Sequence, residues 1–412
     1  MALLVMKFGG TSVASIKHME NVAARVRQEK QAGNEVLVVV SAMGDETDRL
    51  VSLAEEVQDQ DQAFDTRREL DVLLSTGEQV SIALVAMVLL KNGIAAKSFT
   101  GGQVAIRTDA VPNRSRILEV DADKLRVELA KEVVPVIAGF QGIDEGGTIT
   151  TLGRGGSDTT AVALAARLDA SECRIYTDVE GVFTTDPRIV ESARCLEQIS
   201  FEEMLELASL GSKVLHTRAV ELAGKSQVPL RVLSSFNDAP GTLITREEDL
   251  TMEAPLISGI AFTKNEAKLT LLGVPDLPGI ASTILGPISA ANIEVDMIVQ
   301  NVSADRSTDF TFTLSREDYD EAATILEQVA ATMGAREVTG DSSIAKLSIV
   351  GVGMRSHAGV ASKMFEVLAA ESINIQMIST SEIAISVVID EKYLELAARA
   401  LHSEFELAES TP

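Results

Sequence analysis

The sequence predicts an α/β sandwich with a mostly parallel sheet, followed by two small α+β units of the βαββαβ type. Three observations carry that prediction. Continuous apolar runs alternate with helical periods as far as residue 245, which is the grammar of strands covered by crossover helices. Pro240-Gly241 and the charged run Arg246 to Asp249 then break the pattern. Beyond the break the chain repeats itself: Gly279-Ile280-Ala281-Ser282 returns as Gly359-Val360-Ala361-Ser362, and Val295-Asp296-Met297 as Ile375-Gln376-Met377, at an offset of 80 residues.

Taken in order, residues 3–8 form an apolar strand punctuated by Gly9-Gly10, and a helical period runs over 16–29. Residues 35–40 and 133–139 are unbroken apolar runs suited to strands buried on both faces. Between them 64–90 reads as one or two long helices and 94–99 as a short strand; 157–168 is helical, 172–177 strand, and 201–208 and 213–223 helical. Each repeat reads as strand (268–273; 346–352), glycine loop, helix (280–290; 360–370), two strands (293–299 and 308–314; 373–379 and 382–389) and a closing helix (317–332; 391–407). The last strand of each copy is short or borrowed from the other. The expected divisions are 1–245, a linker at 246–260, and repeats at 261–340 and 341–412.

A chain of 412 residues with 46% hydrophobic content is long for one core and rich enough to bury two or three. Its net charge of −25 disfavours nucleic acid and anionic membrane as partners, so an anionic substrate needs a locally positive pocket. Cys173 and Cys195 form no CxxC spacing, and His18, His216, His357 and His402 are scattered, so no metal site is expected. Neither a signal peptide nor a membrane span is legible, and the expected location is the cytoplasm.

Two glycine loops carry the chemistry. Lys7-Phe8-Gly9-Gly10-Thr11-Ser12 stands between a strand and a helix, where backbone N–H groups and a lysine can hold phosphate oxygens; it is not a Walker-A loop, and alone it is also compatible with a plain tight turn. Gly153-Arg154-Gly155-Gly156-Ser157-Asp158-Thr159-Thr160 opens a second helix and offers an arginine suited to bidentate carboxylate binding. Two anion-seeking loops suit two anionic reactants.

With Val40-Ser41-Ala42-Met43-Gly44-Asp45 and Tyr176 to Val182 running on to Asp186-Pro187-Arg188, these loops make the chain resemble the aspartate kinases of the amino-acid kinase superfamily, and the repeats resemble paired ACT domains. The resemblance covers essentially the whole length. It implies transfer of the ATP γ-phosphoryl group to the side-chain carboxylate of L-aspartate, the first step toward lysine, threonine and methionine, with Mg²⁺ arriving on ATP and no prosthetic group. By resemblance Lys7 and Asp178 are catalytic, Asp178 orienting Lys7. Nucleotide contacts are implied for Lys7, Phe8, Gly9, Gly10, Ser41, Thr177, Asp178, Val182, Phe183, Asp186, Arg188 and Lys213, and aspartate contacts for Thr47, Glu78, Arg154, Gly155, Gly156 and Ser157. Glu78 would take the ammonium and Arg154 a carboxylate. No general base is required, because the attacking carboxylate, with a pKa of about 3.9, is already ionised.

In the ACT likeness effector amino acids, lysine and threonine foremost, bind through Asp276, Gly279, Ile280, Ala281, Asp296 and Gln300 of the first copy and Val360, Asn374, Ile375 and Ser381 of the second. The loop from Ser303 to Thr308 looks short, which bears on effector affinity. A homo-oligomer assembled through these units is expected; a regulatory-only subunit from an internal start near Met252 stays open, and fusion to homoserine dehydrogenase is not expected. Two alternatives remain: a related acyl-phosphate kinase acting on glutamate or N-acetylglutamate, and a non-catalytic amino-acid sensor.

Overall fold

The computed structural model describes residues 2–57, 66–212, 214–250, 256–302, 307–356 and 359–408. The chain divides into two units, one made of Met1–Phe183, Cys195–Ser209 and Lys213–Ala254, the other of Thr184–Arg194, Leu210–Ser212 and Pro255–Pro412.

The first unit runs β1 (Leu3–Phe8), α1 (Ile16–Gln31), β2 (Glu35–Val40), α2 (Glu46–Glu55), α3 (Arg67–Lys91), β3 (Ala96–Phe99), β4 (Ile106–Thr108), β5 (Ile117–Val120), α4 (Asp123–Leu129), β6 (Val134–Ala138), β7 (Gln141–Ile143), β8 (Ile149–Thr151), α5 (Gly156–Arg167), β9 (Glu172–Thr177), β10 (Gln198–Ser200), α6 (Phe201–Ser209), α7 (Thr217–Ser226), β11 (Leu230–Ser234) and β12 (Thr242–Thr245). The main sheet has the order β10-β12-β11-β9-β1-β2-β6-β3. Its pairings are parallel except β11 with β12. The central strands read as unbroken valine and leucine because both faces are covered: Val36 to Val40 are all buried. On one face Met19, Val22 and Val26 of α1 and Ile82, Val85 and Leu89 of α3 pack against Met6, Val38 and Val136. Ser15 caps α1, its hydroxyl accepting from the His18 N–H at 3.3 Å.

Helix α3 is long and apolar enough to cross a membrane by composition, but 56% of that window is buried inside the protein, as in the core helix of a globular domain. The sequence reading had no counterpart for α2, α4 or the small sheet β5-β4-β7-β8. Strands of three or four residues and a helix such as α2, with only Leu50 buried, are too short or too polar to show a period.

The second unit runs β13 (Gly259–Pro275), α8 (Ile280–Ala290), β14 (Val295–Val302), β15 (Ser307–Ser315), α9 (Tyr319–Met333), β16 (Glu337–Val350), α10 (Val360–Ala370), β17 (Met377–Thr380), β18 (Ala384–Asp390) and α11 (Leu394–Glu404), with sheet order β14-β15-β13-β16-β18-β17. The two copies share both long strands, and the second copy is split around the first. Residues 268–275 of β13 are the first strand of the first copy, while residues 259–263 pair with 346–350 as the last strand of the second. Residues 344–350 of β16 open the second copy, while 337–341, which follow α9 directly, pair with 268–272 to close the first. The register slips between Thr263 and Lys268, where one role ends and the other begins. The first copy is thus continuous in sequence, and the second completes its sheet only with a strand laid down before the first.

Two cores result. Phe310, Phe312 and Leu314 pack under α8 and α9, and Leu347, Ile349 and Val387 under α10 and α11. Segment 184–194 joins the latter: Val190 is buried among Ile257, Ile260 and Leu347, and Thr184 Oγ1 lies 2.9 Å from His402 Nε2.

Because Phe312 is fully buried at the centre of β15, Phe312→Ala should destabilise the second unit by about 3–5 kcal/mol through lost transfer energy and the cavity left behind. Equilibrium urea unfolding followed by circular dichroism checks this, and an unchanged profile would contradict the packing described.

Candidate active site

Strand β1 lies between β2 and β9, both parallel to it, so the chain leaves β1 toward one side of the sheet and returns on the other. At such a reversal the loops beyond the carboxyl ends of adjacent strands diverge and leave a crevice. Here those loops are Gly9-Gly10 after β1, Ser41 to Gly44 after β2 and Asp178 after β9. The separated sequence motifs thereby become neighbours.

The first two loops are held together by backbone. The Ser41 N–H donates to Phe8 O at 3.1 Å and the Gly44 N–H to Gly10 O at 3.1 Å. A Cβ on Gly10 would come within 2.9 Å of Ala42 O, so only glycine lets the loops close this far. The Gly9 N–H donates to Tyr176 O, and Phe8 stacks on the Tyr176 ring at 4.6 Å, tying in β9.

Lys7 is buried, and its Nζ stands 2.6 Å from Asp158 Oδ1 in the first turn of α5, a close ion pair rather than an aligned hydrogen bond. The carboxylate paired with Lys7 is thus Asp158, where the family resemblance implied Asp178. Asp178 is exposed, and its Oδ1 accepts from the Thr177 hydroxyl at 3.0 Å. Asp158 stood inside a motif singled out from sequence; the signal available was that a buried lysine needs a counter-charge and that a helix's first turn favours a carboxylate.

Glu78 comes from α3. Gly77 permits this, since a Cβ there would meet the Ala42 Cβ at 2.8 Å. Glu78 Oε1 accepts from the Ala42 N–H at 3.0 Å, and Oε2 is buried with no hydrogen-bond partner among the described residues. Burial raises the carboxyl pKa from 4.5 to about 7. A buried carboxyl with an unsatisfied oxygen is poised for a cationic group. Thr47, in the first turn of α2, and Ser41 are half-buried beside the same loop.

The second glycine loop leads into α5, capped by Gly155 at φ +70°. Gly155 has no substitute, because a Cβ would fall 2.2 Å from that of His216. His216 caps α7, its Nδ1 accepting from the Arg218 N–H at 3.4 Å, and burial holds its pKa below the ordinary value. Gly156 and Ser157 are buried at the helix start, and Ser157 sits over Gly139 at the end of β6. Arg154 is exposed.

Other expected nucleotide contacts are dispersed. Thr177 accepts through its carbonyl from the Ser235 N–H, and Val182, fully buried, donates its N–H to Thr242 Oγ1 at 2.8 Å. Phe183 bridges Cys195 in the first unit. Asp186 and Arg188 belong to the segment packed with the second unit, where hydrogen bonds from Arg188 hold the Asp186 carboxyl below its ordinary range. Lys213 lies outside the described residues.

In the second unit Asp276, Gly279, Ile280 and Ala281 share the approach to α8, with Gly279 capping it at φ +93°, and Val360 holds the equivalent place after Gly359 in the second copy. Gln300 lies on edge strand β14, its Nε2 donating to Thr308 Oγ1 at 3.5 Å. Asn374 and Ser381 are exposed and Ile375 half-buried. Asp296, half-exposed, pairs through its carboxylate with the ammonium of buried Lys346, an ion pair between one copy and the other. Of the loop expected to be short, residues 303–306 lie outside the described residues.

The comparisons with known proteins meet at this site. The amino acid kinase family model matches residues 2–234, and ACT domain models match 269–331 and 347–405. The aspartate kinase of Pseudomonas putida is 64% identical over 407 residues, 99% of this chain and 98% of that protein. Among solved structures, Escherichia coli aspartokinase III in complex with aspartate and ADP (R-state) is 29% identical with a TM-score of 0.80, the match covering 98% of this chain and 99% of that one. The same enzyme with lysine and aspartate (T-state) gives 29% identity and a TM-score of 0.76 over the same shares. The chain therefore belongs to the aspartate kinase family of ATP-dependent amino acid kinases.

Proposed function

We propose that this enzyme transfers the γ-phosphoryl group of MgATP to the side-chain carboxylate of L-aspartate through the crevice over β1, β2 and β9. The observation that carries the reading is the meeting there of a carboxylate-paired lysine, two glycine-lined loops and a buried, half-satisfied glutamate.

One oxygen of the ionised substrate carboxylate attacks the γ-phosphorus, the bond to the β,γ-bridging oxygen breaks, and ADP leaves with that electron pair. Lys7 neutralises charge on the phosphoryl group in flight, and the amides of Gly9 and Gly10 add donors. Asp158 holds the Lys7 ammonium in place. Glu78 receives the aspartate ammonium and Arg154 the α-carboxylate. The product is 4-phospho-L-aspartate, on the route to lysine, threonine and methionine. That the Escherichia coli relative was solved with aspartate and ADP supports both reactants.

The second unit regulates. Lysine and threonine bind at the approaches to α8 and α10, a reading supported by the ACT domain matches and by the lysine-bound T-state relative. Assembly as a homo-oligomer through this unit is supported by the edge strands β14 and β17, which leave backbone groups open for pairing. The proposed location is the cytoplasm.

Three outcomes are expected. Purified enzyme with MgATP releases ADP with L-aspartate, and not with L-glutamate or N-acetyl-L-glutamate, and lysine with threonine suppresses it; turnover on another acid would move the substrate assignment. Glu78 must be ionised to hold an ammonium, so the aspartate KM rises as pH falls below about 7 and flattens above it, and Glu78→Gln abolishes that dependence. A KM independent of pH in the native enzyme would remove Glu78 from this role. Gln300→Ala shifts the inhibition curve to higher effector concentration, and an unshifted curve would take Gln300 out of the effector site.

A further inference from the structure

Asp71 lies on α3, two turns before Glu78 and on the same face, and is buried as completely. Its carboxylate takes no part in the chemistry above. Its hydrogen bonds go to two other segments: the Thr151 hydroxyl donates to Oδ1 at 2.5 Å, and the Asn113 N–H lies 3.1 and 3.2 Å from the two oxygens. Thr151 ends β8 just before Leu152-Gly153-Arg154, and Asn113 belongs to the loop between β4 and β5.

These two segments are also locked to each other. Ser115 donates to Thr151 O through its N–H at 3.0 Å and its hydroxyl at 2.8 Å. Arg218 of α7 donates to Leu152 O at 2.5 Å and to Ser115 O at 3.0 Å. Gly153 has φ +76°, and a Cβ on it would stand 2.9 Å from Asn113 O. The root of the Arg154 loop is thus clamped between a buried carboxylate on one side and a guanidinium on the other. Arg154 itself is exposed and has no ion-pair partner among the described residues, so the backbone of that loop decides where its side chain starts.

We infer that Asp71 is a positioning residue for aspartate binding: by pinning Thr151 and Asn113 it sets the Arg154 loop against the face of α3 that carries Glu78. A neutral side chain of similar shape could fill the space. Only a carboxylate, with two acceptor oxygens and no donor, accepts from the hydroxyl and the N–H together without presenting a donor to either. One helix then fixes both ends of the substrate, the ammonium directly through Glu78 and the carboxylate indirectly through Asp71. This rests on the reading of Arg154 as the carboxylate ligand.

The test is steady-state kinetics on the full chain with Asp71→Asn, Thr151→Val, Arg154→Ala and the double variants combining Arg154→Ala with each. Asp71→Asn is expected to raise the aspartate KM about tenfold or more, the scale of effect expected from misplacing a binding group, and to leave the MgATP KM within about twofold. In the Arg154→Ala background it should add nothing, since Asp71 acts through Arg154. If Arg154→Ala leaves the aspartate KM unchanged, the carboxylate-ligand reading fails and the inference falls with it. If Arg154→Ala raises that KM and Asp71→Asn does not, or if Asp71→Asn raises both substrates' KM alike or adds fully to Arg154→Ala, the inference alone is overturned. Should Asp71→Asn fail to fold, Thr151→Val in the same cycle decides by the same criteria.

Discussion

A lysine ammonium buried at the end of the central strand is the constraint around which the first unit is arranged. A buried ammonium is costly without a counter-charge close by, and Asp158 supplies it from the first turn of α5. That requirement fixes α5 over the carboxyl end of β1. It also explains the glycines before the helix: Gly155 yields to His216 and Gly156 to Leu152 and Phe140, so that the helix start can reach the strand end. In the same way Gly10 and Gly77 draw the loop after β2 and helix α3 toward the same point. A positive centre in a chain of net charge −25 is therefore a local construction, made by bringing backbone close to one lysine.

The second unit obeys a different constraint. The second copy of the repeat cannot complete a four-stranded sheet alone, because its closing strand, residues 259–263, precedes the first copy in the chain and runs on into that copy's first strand. The copies are further joined by Lys346 to Asp296, and by Lys268, whose ammonium donates to Gln376 at 2.6 Å. A unit built this way has no independent halves. Continuous strands run from one copy into the other.

Much of this was legible beforehand. β2 and β9 occupy the ranges expected from their apolar runs, and α8 and α10 fall 80 residues apart as the repeat demands. The glycine loops stand at the strand and helix ends where glycine spacing put them. Fully buried parallel strands and amphipathic helices write their environment into a local period, so they can be read without a structure. The short strands of the small sheet and the polar helix α2 have no such period. The 184–194 segment reads as part of the first domain because it is contiguous with it, while the burial of Val190 is decided by residues about seventy and more positions away.

The sequence by itself determined the class of fold, the repeat and the two glycine loops that carry Lys7 and Arg154, and a family resemblance singled out Glu78. The first three follow from local chemistry: hydrophobic period, glycine at turns and charge beside glycine. Only the tertiary structure decided that Lys7 pairs with Asp158 rather than Asp178, that Asp296 pairs with Lys346, and that Asp71 clamps the root of the Arg154 loop. Those are pairings between side chains far apart in the chain. Which carboxylate meets which cation depends on how strands are ordered and helices docked, and no local pattern records it.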